Sequence, residues 1–425
     1  MTSYSNIMAR WALMGLVVLG LVACGGGSSS PNSSTPVSLG NPSTGNNVMA
    51  VYVDLGPNGN DVNRLYTNIT ICQPGTSVCE TIDHVLVDTG STGLRLLSEA
   101  VTNPAITQSS VRTGTNPLLS CAQFLDLSYA WGPVVKVDLQ LGGETIPNLP
   151  TQLAGAPTYA ALGQASACAG SGTYDALNTV AQLGAKGILG MGLLQRDCGS
   201  FCTTNAAIGY YYTCTTNACN AITGATASLS EQLRNPVPLL RFDNNGFVVN
   251  LPAVPAPGAS SLTGEIVFGI DTQSNNAFSN VTALTTNSLG YIRRTQVTSS
   301  QAVATYASSF IDTGSNGIFF DSTWDALQPC GLRPDPEGFY CPSTDLALSA
   351  IMTGFNLSSK PVNFNVSNAK TLFQNRNDAV IPSLGGPINW IGIFDWGLPF
   401  YFGRKVFHGI DGEVTTLGTG PFIAF

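Results

Sequence analysis

An Asp-Thr-Gly-Ser turn occurs twice in this chain, each time directly after an apolar run. Val85–Leu94 reads Val-Leu-Val-Asp-Thr-Gly-Ser-Thr-Gly-Leu, and 224 residues later Ser309–Ile318 reads Ser-Phe-Ile-Asp-Thr-Gly-Ser-Asn-Gly-Ile. A given tetrapeptide arises by chance in a chain of this length in well under roughly one sequence in a hundred, so two copies in the same apolar context call for a common cause. A single copy would be read as a turn, since all four residue types favour turns. Two copies imply two like units, each presenting a carboxylate, Asp88 or Asp312, at the end of a strand.

Each residue type has a task in such a site. Gly90 and Gly314 permit a tight turn and a close approach by another backbone or a ligand. The hydroxyls of Thr89 and Thr313 can turn inward and bond across to the opposite unit. Ser91 and Ser315 can donate to the outer oxygen of their own aspartate. If a pseudo-two-fold axis relates the units, Asp88 and Asp312 meet on it, and two carboxylates at hydrogen-bond distance share a proton because both cannot ionise cheaply. One then activates a water while its protonated partner donates to a carbonyl, so an amide can be hydrolysed with no metal, cofactor or covalent intermediate.

The N-terminus reads as a secretion signal. Arg10 precedes an apolar run, Trp11 to Val22, that is too short for a permanent membrane helix and ends in Leu21-Val22-Ala23-Cys24. That ending resembles a bacterial lipobox, which implies cleavage before Cys24, lipidation of its thiol and a stable membrane anchor. Gly25 in place of an aspartate favours the outer membrane. Residues 25–48 are nearly all Gly, Ser, Pro, Asn and Thr and read as a flexible tether. The remaining chain, about 375 residues, exceeds what one hydrophobic core usually serves, so two lobes are expected.

Only 10% of residues are charged, and short alternating runs such as Val134–Leu141 lie between Gly, Pro and Asn punctuation, the pattern of an all-β protein. Short helices are expected around Tyr174–Leu183, Leu229–Leu233 and Leu346–Met352. A net charge of −8 with no basic cluster argues against a nucleic-acid partner. Ten of the 11 cysteines remain once Cys24 is lipidated, which suggests five disulfides in an oxidising compartment. Proximity suggests Cys72 with Cys79, Cys214 with Cys219 and Cys330 with Cys341, leaving the pairing of Cys121, Cys168, Cys198 and Cys202 open. No metal is expected, because the Cys198–Cys219 cluster lacks a Cys-x-x-Cys knuckle and the chain has 2 histidines, His84 and His408.

With these motifs the sequence resembles the pepsin family of aspartic peptidases through most of residues 64–425. Arg64–Ile71 is similar to the strand before the first Asp loop, and Trp131–Gly143 to the strand returning from the active-site flap. Lys186–Gly192 resembles the apolar-apolar-Gly segment that passes beneath that loop. Val267–Asp271 resembles the end of the first lobe, and Trp396–Arg404 the equivalent element of the second. The resemblance implies an all-β, bilobal pepsin-like aspartic peptidase fold, with two pseudo-symmetric β-barrel-like lobes and a cleft between them. Its first lobe would span residues 49–280, with a Cys-rich insertion at 196–230, and its second 281–425. It also implies a catalytic dyad of Asp88 and Asp312, an extended peptide or protein as substrate, no cofactor, and a monomer, since one chain supplies both acids.

Several positions depart from the family pattern. Arg95 stands where a Trp four residues after the motif Ser is common. The flap looks shortened, with Tyr129 as its candidate tyrosine beside Trp131. Asp395 replaces an apolar residue just before Trp396-Gly397, either as an exposed rim charge or as a third acid near the dyad. No Lys or Arg lies between Arg10 and Arg64, so no basic prosegment is expected. His84 reads as a strand residue, and Tyr210-Tyr211-Tyr212 as core, loop anchor or substrate platform. Two functions follow: an endopeptidase of the cell envelope, or a protein of the same fold that binds a peptide, glycan or protein partner without cutting it.

Overall fold

The computed structural model describes residues 34–425 except 165, 217, 218, 301, 323, 325, 332–335, 337 and 389. The expected signal segment with Cys24, and residues 25–33 of the expected tether, lie outside the described residues.

Runs rich in Val, Ile, Leu, Thr and Tyr form the strands of the first lobe. They are β1 (Val48–Val53), β2 (Tyr66–Cys72), β3 (Cys79–Asp88), β4 (Thr92–Leu97), β5 (Asn116–Gln123), β6 (Ser128–Leu141), β7 (Glu144–Ala154), β8 (Gly187–Met191), β9 (Gly246–Asn250) and β10 (Leu262–Phe268). Six close into a barrel: β2 pairs with β3, β3 with β8, β8 with β4, β4 with β7, β7 with β6, and β6 again with β2. Closure leaves no free edge, and the inward side chains, among them Ile71, Val87, Leu94, Val137 and Leu189, are buried.

The second lobe contains β11 (Arg294–Thr298), β12 (Val303–Tyr306), β13 (Ser308–Ile311), β14 (Ile318–Phe320), β15 (Leu346–Thr353), β16 (Ser359–Val366), β17 (Ile393–Trp396), β18 (Lys405–Gly409) and β19 (Phe422–Ala424). Its strand order around the Asp turn repeats that of the first lobe. β13 runs parallel to β17, which is antiparallel to β14, as β3 runs parallel to β8 and β8 antiparallel to β4. The architecture is therefore the all-β, two-lobed fold that the resemblance implies. Phe320, Phe394 and Trp396 form an aromatic core here, with Phe394 stacked on Phe320 at 4.9 Å.

A single antiparallel sheet joins the lobes, in the order β1, β10, β9, β18, β19 and Ala283–Thr285. Residues 34–47, which composition assigns to the tether, lie against this sheet. Val37–Ser38 pairs with Leu262–Thr263, and Ser43 donates through its backbone N–H and its hydroxyl to Glu265. The buried Glu265 carboxylate needs donors, and Ser43 and Asn250 supply them.

The helix expectations fare unevenly. Only Val180–Leu183 of the first segment is helical, and Leu229–Leu233 begins as a turn. Leu346–Met352 is strand β15, where Leu348, Ala350 and Met352 face inward and Ala347, Ser349 and Ile351 outward, paired on both sides by β11 and β16. Sheet partners override the helix preference of Leu, Ala and Met. Five disulfides are formed: Cys72–Cys79, Cys121–Cys168, Cys198–Cys202, Cys214–Cys219 and Cys330–Cys341.

Candidate functional site

The two Asp turns face each other across the lobe boundary and interpenetrate. A methyl group on Gly90 would lie 2.7 Å from Cγ of Asp312, and one on Gly314 would lie 2.9 Å from Oδ1 of Asp88. Neither position tolerates a side chain, because each carboxyl group rests on the glycine of the opposite loop. The turn holds Asp88 through the N–H groups of Gly90 and Ser91, 2.8 and 3.0 Å from Oδ1, while the Ser91 hydroxyl donates to Oδ2. Asp312 accepts from Gly314 N–H at 2.7 Å and from the Ser315 hydroxyl at 3.0 Å.

Beneath the carboxyls the threonines lock the lobes. Thr89 N–H donates to Thr313 Oγ1 at 3.2 Å and Thr313 N–H to Thr89 Oγ1 at 3.0 Å. The Thr313 hydroxyl donates to Val87 O and that of Thr89 to Ile311 O. Thr89 also reaches Tyr401, whose hydroxyl lies 3.3 Å from Nε2 of the fully buried His408. Sequence reasoning missed this Tyr401–His408 support; an unexplained histidine within an apolar strand was its one trace. Burial pushes His408 down to about 3, so its ring stays neutral.

Burial, then the charge of Asp88, then that of Asp395, hold the Asp312 carboxyl well above the usual carboxylate range. A proton is therefore held within the pair at a pH where a free carboxyl would release it. Asp395 lies 4% exposed next to the dyad, not at an exposed rim, and burial likewise raises it well above its ordinary value, with Ser315 as its hydrogen-bonding neighbour. Its strand position explains this: it precedes Trp396, whose carbonyl accepts from Asp312 N–H at 3.0 Å. The dyad opens into a cleft of about 1330 Å³ lined by both lobes.

The model of a family described as "Protein of unknown function (DUF3443)" matches residues 43–425. The chain belongs to the DUF3443 family. Among solved structures it is similar to the basic 7S globulin from soybean, at 14% sequence identity and a TM-score of 0.47, with 89% of this chain and 96% of that chain covered. Among curated proteins none matches it.

The candidate flap of this DUF3443 protein is a paired hairpin. β5 and β6 form this hairpin, whose tip, Phe124–Leu127, lines the cleft, and Trp390 of the second lobe donates to Leu125 O at 3.0 Å. Tyr129 and Trp131 point away from the cleft, into a cluster with Cys121, Cys168 and Tyr212, and Trp131 Nε1 donates to Tyr159 O. Strand alternation decides this: the intervening Ala122 and Ala130 face Leu86 and Ile188 instead. The Cys-rich insertion widens the flap, since Tyr211–Cys214 pairs with β5 and then with Ile222–Gly224.

Of the three tyrosines in the insertion, Tyr210 lines the cleft, Tyr211 is buried with its hydroxyl 2.8 Å from both oxygens of Asp197, and Tyr212 packs edge-on against Trp131. Burial raises Asp197 to about 6, and the charge of Arg95 opposes that rise. Arg95 itself is buried, and its Nη1 donates to Thr92 O and Gly93 O at the base of the first Asp turn. His84 sits in β3 between Asp83 and Asp54, within hydrogen-bond reach of each.

Proposed function

We propose that this protein is an aspartic endopeptidase that hydrolyses peptide bonds in extended substrates. The observation that carries the reading is the pair of carboxyls seated on each other's glycines, each held by the serine of its own turn. In this reading a water held between the carboxyls loses a proton to Asp88 as it attacks the scissile carbon, and Asp312 donates its proton to the carbonyl oxygen. Proton transfer to the amine then breaks the C–N bond, with no covalent intermediate. The Thr89–Thr313 lock keeps the carboxyls fixed, so little reorganisation accompanies the reaction. A cleft bounded by the flap accommodates a peptide lying as an added strand.

The setting we propose is the cell envelope, at the periplasmic or surface side of an outer membrane, with lipid on Cys24. Five disulfides support an oxidising compartment. One observation favours a second reading, in which the cleft binds a peptide, glycan or protein without cutting it: Ala122 and Ala130, not a tyrosine, face inward from the flap. The deciding experiment incubates the disulfide-intact protein with a proteome-derived peptide library across acid to neutral pH, beside Asp88→Asn and Asp312→Asn. Cleavage blocked by pepstatin and absent in both variants supports the peptidase; no cleavage by a folded wild type supports the binding protein.

A further inference from the structure

Each lobe presents to the cleft three residues in register on adjacent strands. In the first lobe they are Leu86 on β3, Ile188 on β8 and Arg95 on β4; in the second they are Phe310 on β13, Asp395 on β17 and Phe319 on β14. The pseudo-two-fold relation equates Ile188 with Asp395. Each lies two positions before a glycine, Gly190 or Gly397, that packs on the fifth residue after its lobe's aspartate, Gly93 or Gly317. A carboxyl group therefore occupies a site that the same fold fills elsewhere with isoleucine. Asp395 is 4% exposed, and its Oδ1 has no hydrogen-bond partner. A buried polar atom without a partner works against folding, so its place in the cleft wall points to a ligand.

The surroundings define that ligand. Phe310 and Phe319 flank Asp395 in register, and the Tyr291 ring lies 5.6 Å from that of Phe310 at the cleft surface. Aromatic faces around a carboxyl group attract a cation. Ser315, bonded to Asp312 and adjacent to Asp395, sets the pocket directly beside the dyad. We propose that Asp395 is the base of a pocket, walled by Phe310, Phe319 and Tyr291, that receives the lysine or arginine side chain of the substrate residue adjoining the scissile bond. This specificity rests on the peptidase reading for its substrate class. The titratable groups facing Asp395 are Asp88, Asp312, Tyr291 and Tyr401, none of them a cation, so an empty pocket keeps a proton on the carboxyl and an entering ammonium or guanidinium replaces it.

The test compares two non-cleavable statine peptides, identical except for lysine or norleucine on both sides of the statine. Binding is measured by calorimetry on wild type, Asp395→Asn and Asp395→Ile, the last copying the first-lobe residue. The lysine peptide should bind wild type at least about tenfold more tightly than its norleucine twin, and both variants should lose that preference while still binding norleucine. Equal affinities on wild type, failure of the lysine peptide to bind, or a preference that survives in both variants overturns the pocket. Library cleavage without basic selectivity also overturns it and leaves the peptidase standing. Lysine-selective binding without cleavage supports the pocket and removes the peptidase reading.

Discussion

Asp312 carries a proton in the folded chain at a pH where the unfolded chain would release it, because burial and the neighbouring acids raise it. A raised carboxyl contributes fully to stability below its ordinary range, and that contribution is lost as pH rises toward the folded value. Asp312→Asn is therefore expected to raise Tm at neutral pH relative to wild type, with the gain shrinking toward the ordinary carboxylate range, as a series of thermal melts would show. Under the proposed chemistry the same substitution lowers kcat by about 10²–10⁴-fold. His408 acts in the opposite direction. Lowered from 6.5 to about 3, it leaves the unfolded chain holding the extra proton between those values, so stability falls as pH drops through that window. The loss approaches about 5 kcal/mol at the acid end, and His408→Gln should flatten it. The paired aspartates were legible in the sequence because a repeat announces itself. Tyr401 and His408 were not, since a lone tyrosine at the end of a short 3-10 turn and a lone histidine in an apolar strand carry no spacing signal.

Among the elements, the flap differs most from its sequence reading. β5 is paired on one side by β6 and on the other by Tyr211–Cys214, and Cys121 within it is bonded to Cys168. Replacing both cysteines by serine opens a loop of 47 residues and should cost about 2–4 kcal/mol. Hydrogen exchange should then rise first in 116–133 while the barrel strands stay protected; uniform exchange across the first lobe would show that this bond supports the whole barrel instead. The insertion's other anchor is Tyr211, whose hydroxyl bonds Asp197 and accepts from Leu233 N–H. Tyr211→Phe leaves those buried groups unpaired and should destabilise by about 1–3 kcal/mol. The hairpin strands were readable from alternation, but which face meets the cleft was not. A shift of one residue reverses every side chain, and Tyr129 rather than Ala130 was taken as cleft-facing.

Across the whole molecule, the lobes cannot be separated without breaking both the joining sheet and the site. β9 takes one partner from the first lobe, β10, and one from the second, β18, so a chain ending near residue 280 would expose an unpaired strand edge. Residues 34–280 expressed alone are expected to aggregate, and a soluble monomer of that fragment by size-exclusion chromatography would contradict the shared sheet. The Thr89–Thr313 exchange is the corresponding link at the cleft floor. Thr89→Val leaves the N–H of Thr313 without its acceptor and should lower stability by about 1–3 kcal/mol, with Thr89→Ser restoring most of it.

Period-two alternation, turn residues and the doubled Asp-Thr-Gly-Ser segment were enough to determine an all-β chain of two like lobes, because strand periodicity and internal repetition are properties of the sequence itself. The same holds for the disulfide partners that lie 5 to 11 residues apart, where proximity leaves little choice. Only tertiary structure decided that Leu346–Met352 is a strand, that Ser43 and Asn47 fasten the supposed tether, and that Cys121 pairs with Cys168. It alone placed Asp395 against the dyad. Beyond the β15–β16 hairpin, these features depend on distant partners, β11 for β15, Cys168 for Cys121 and Glu265 for Ser43, and such contacts are set by how sheets close and lobes meet, which no local pattern encodes.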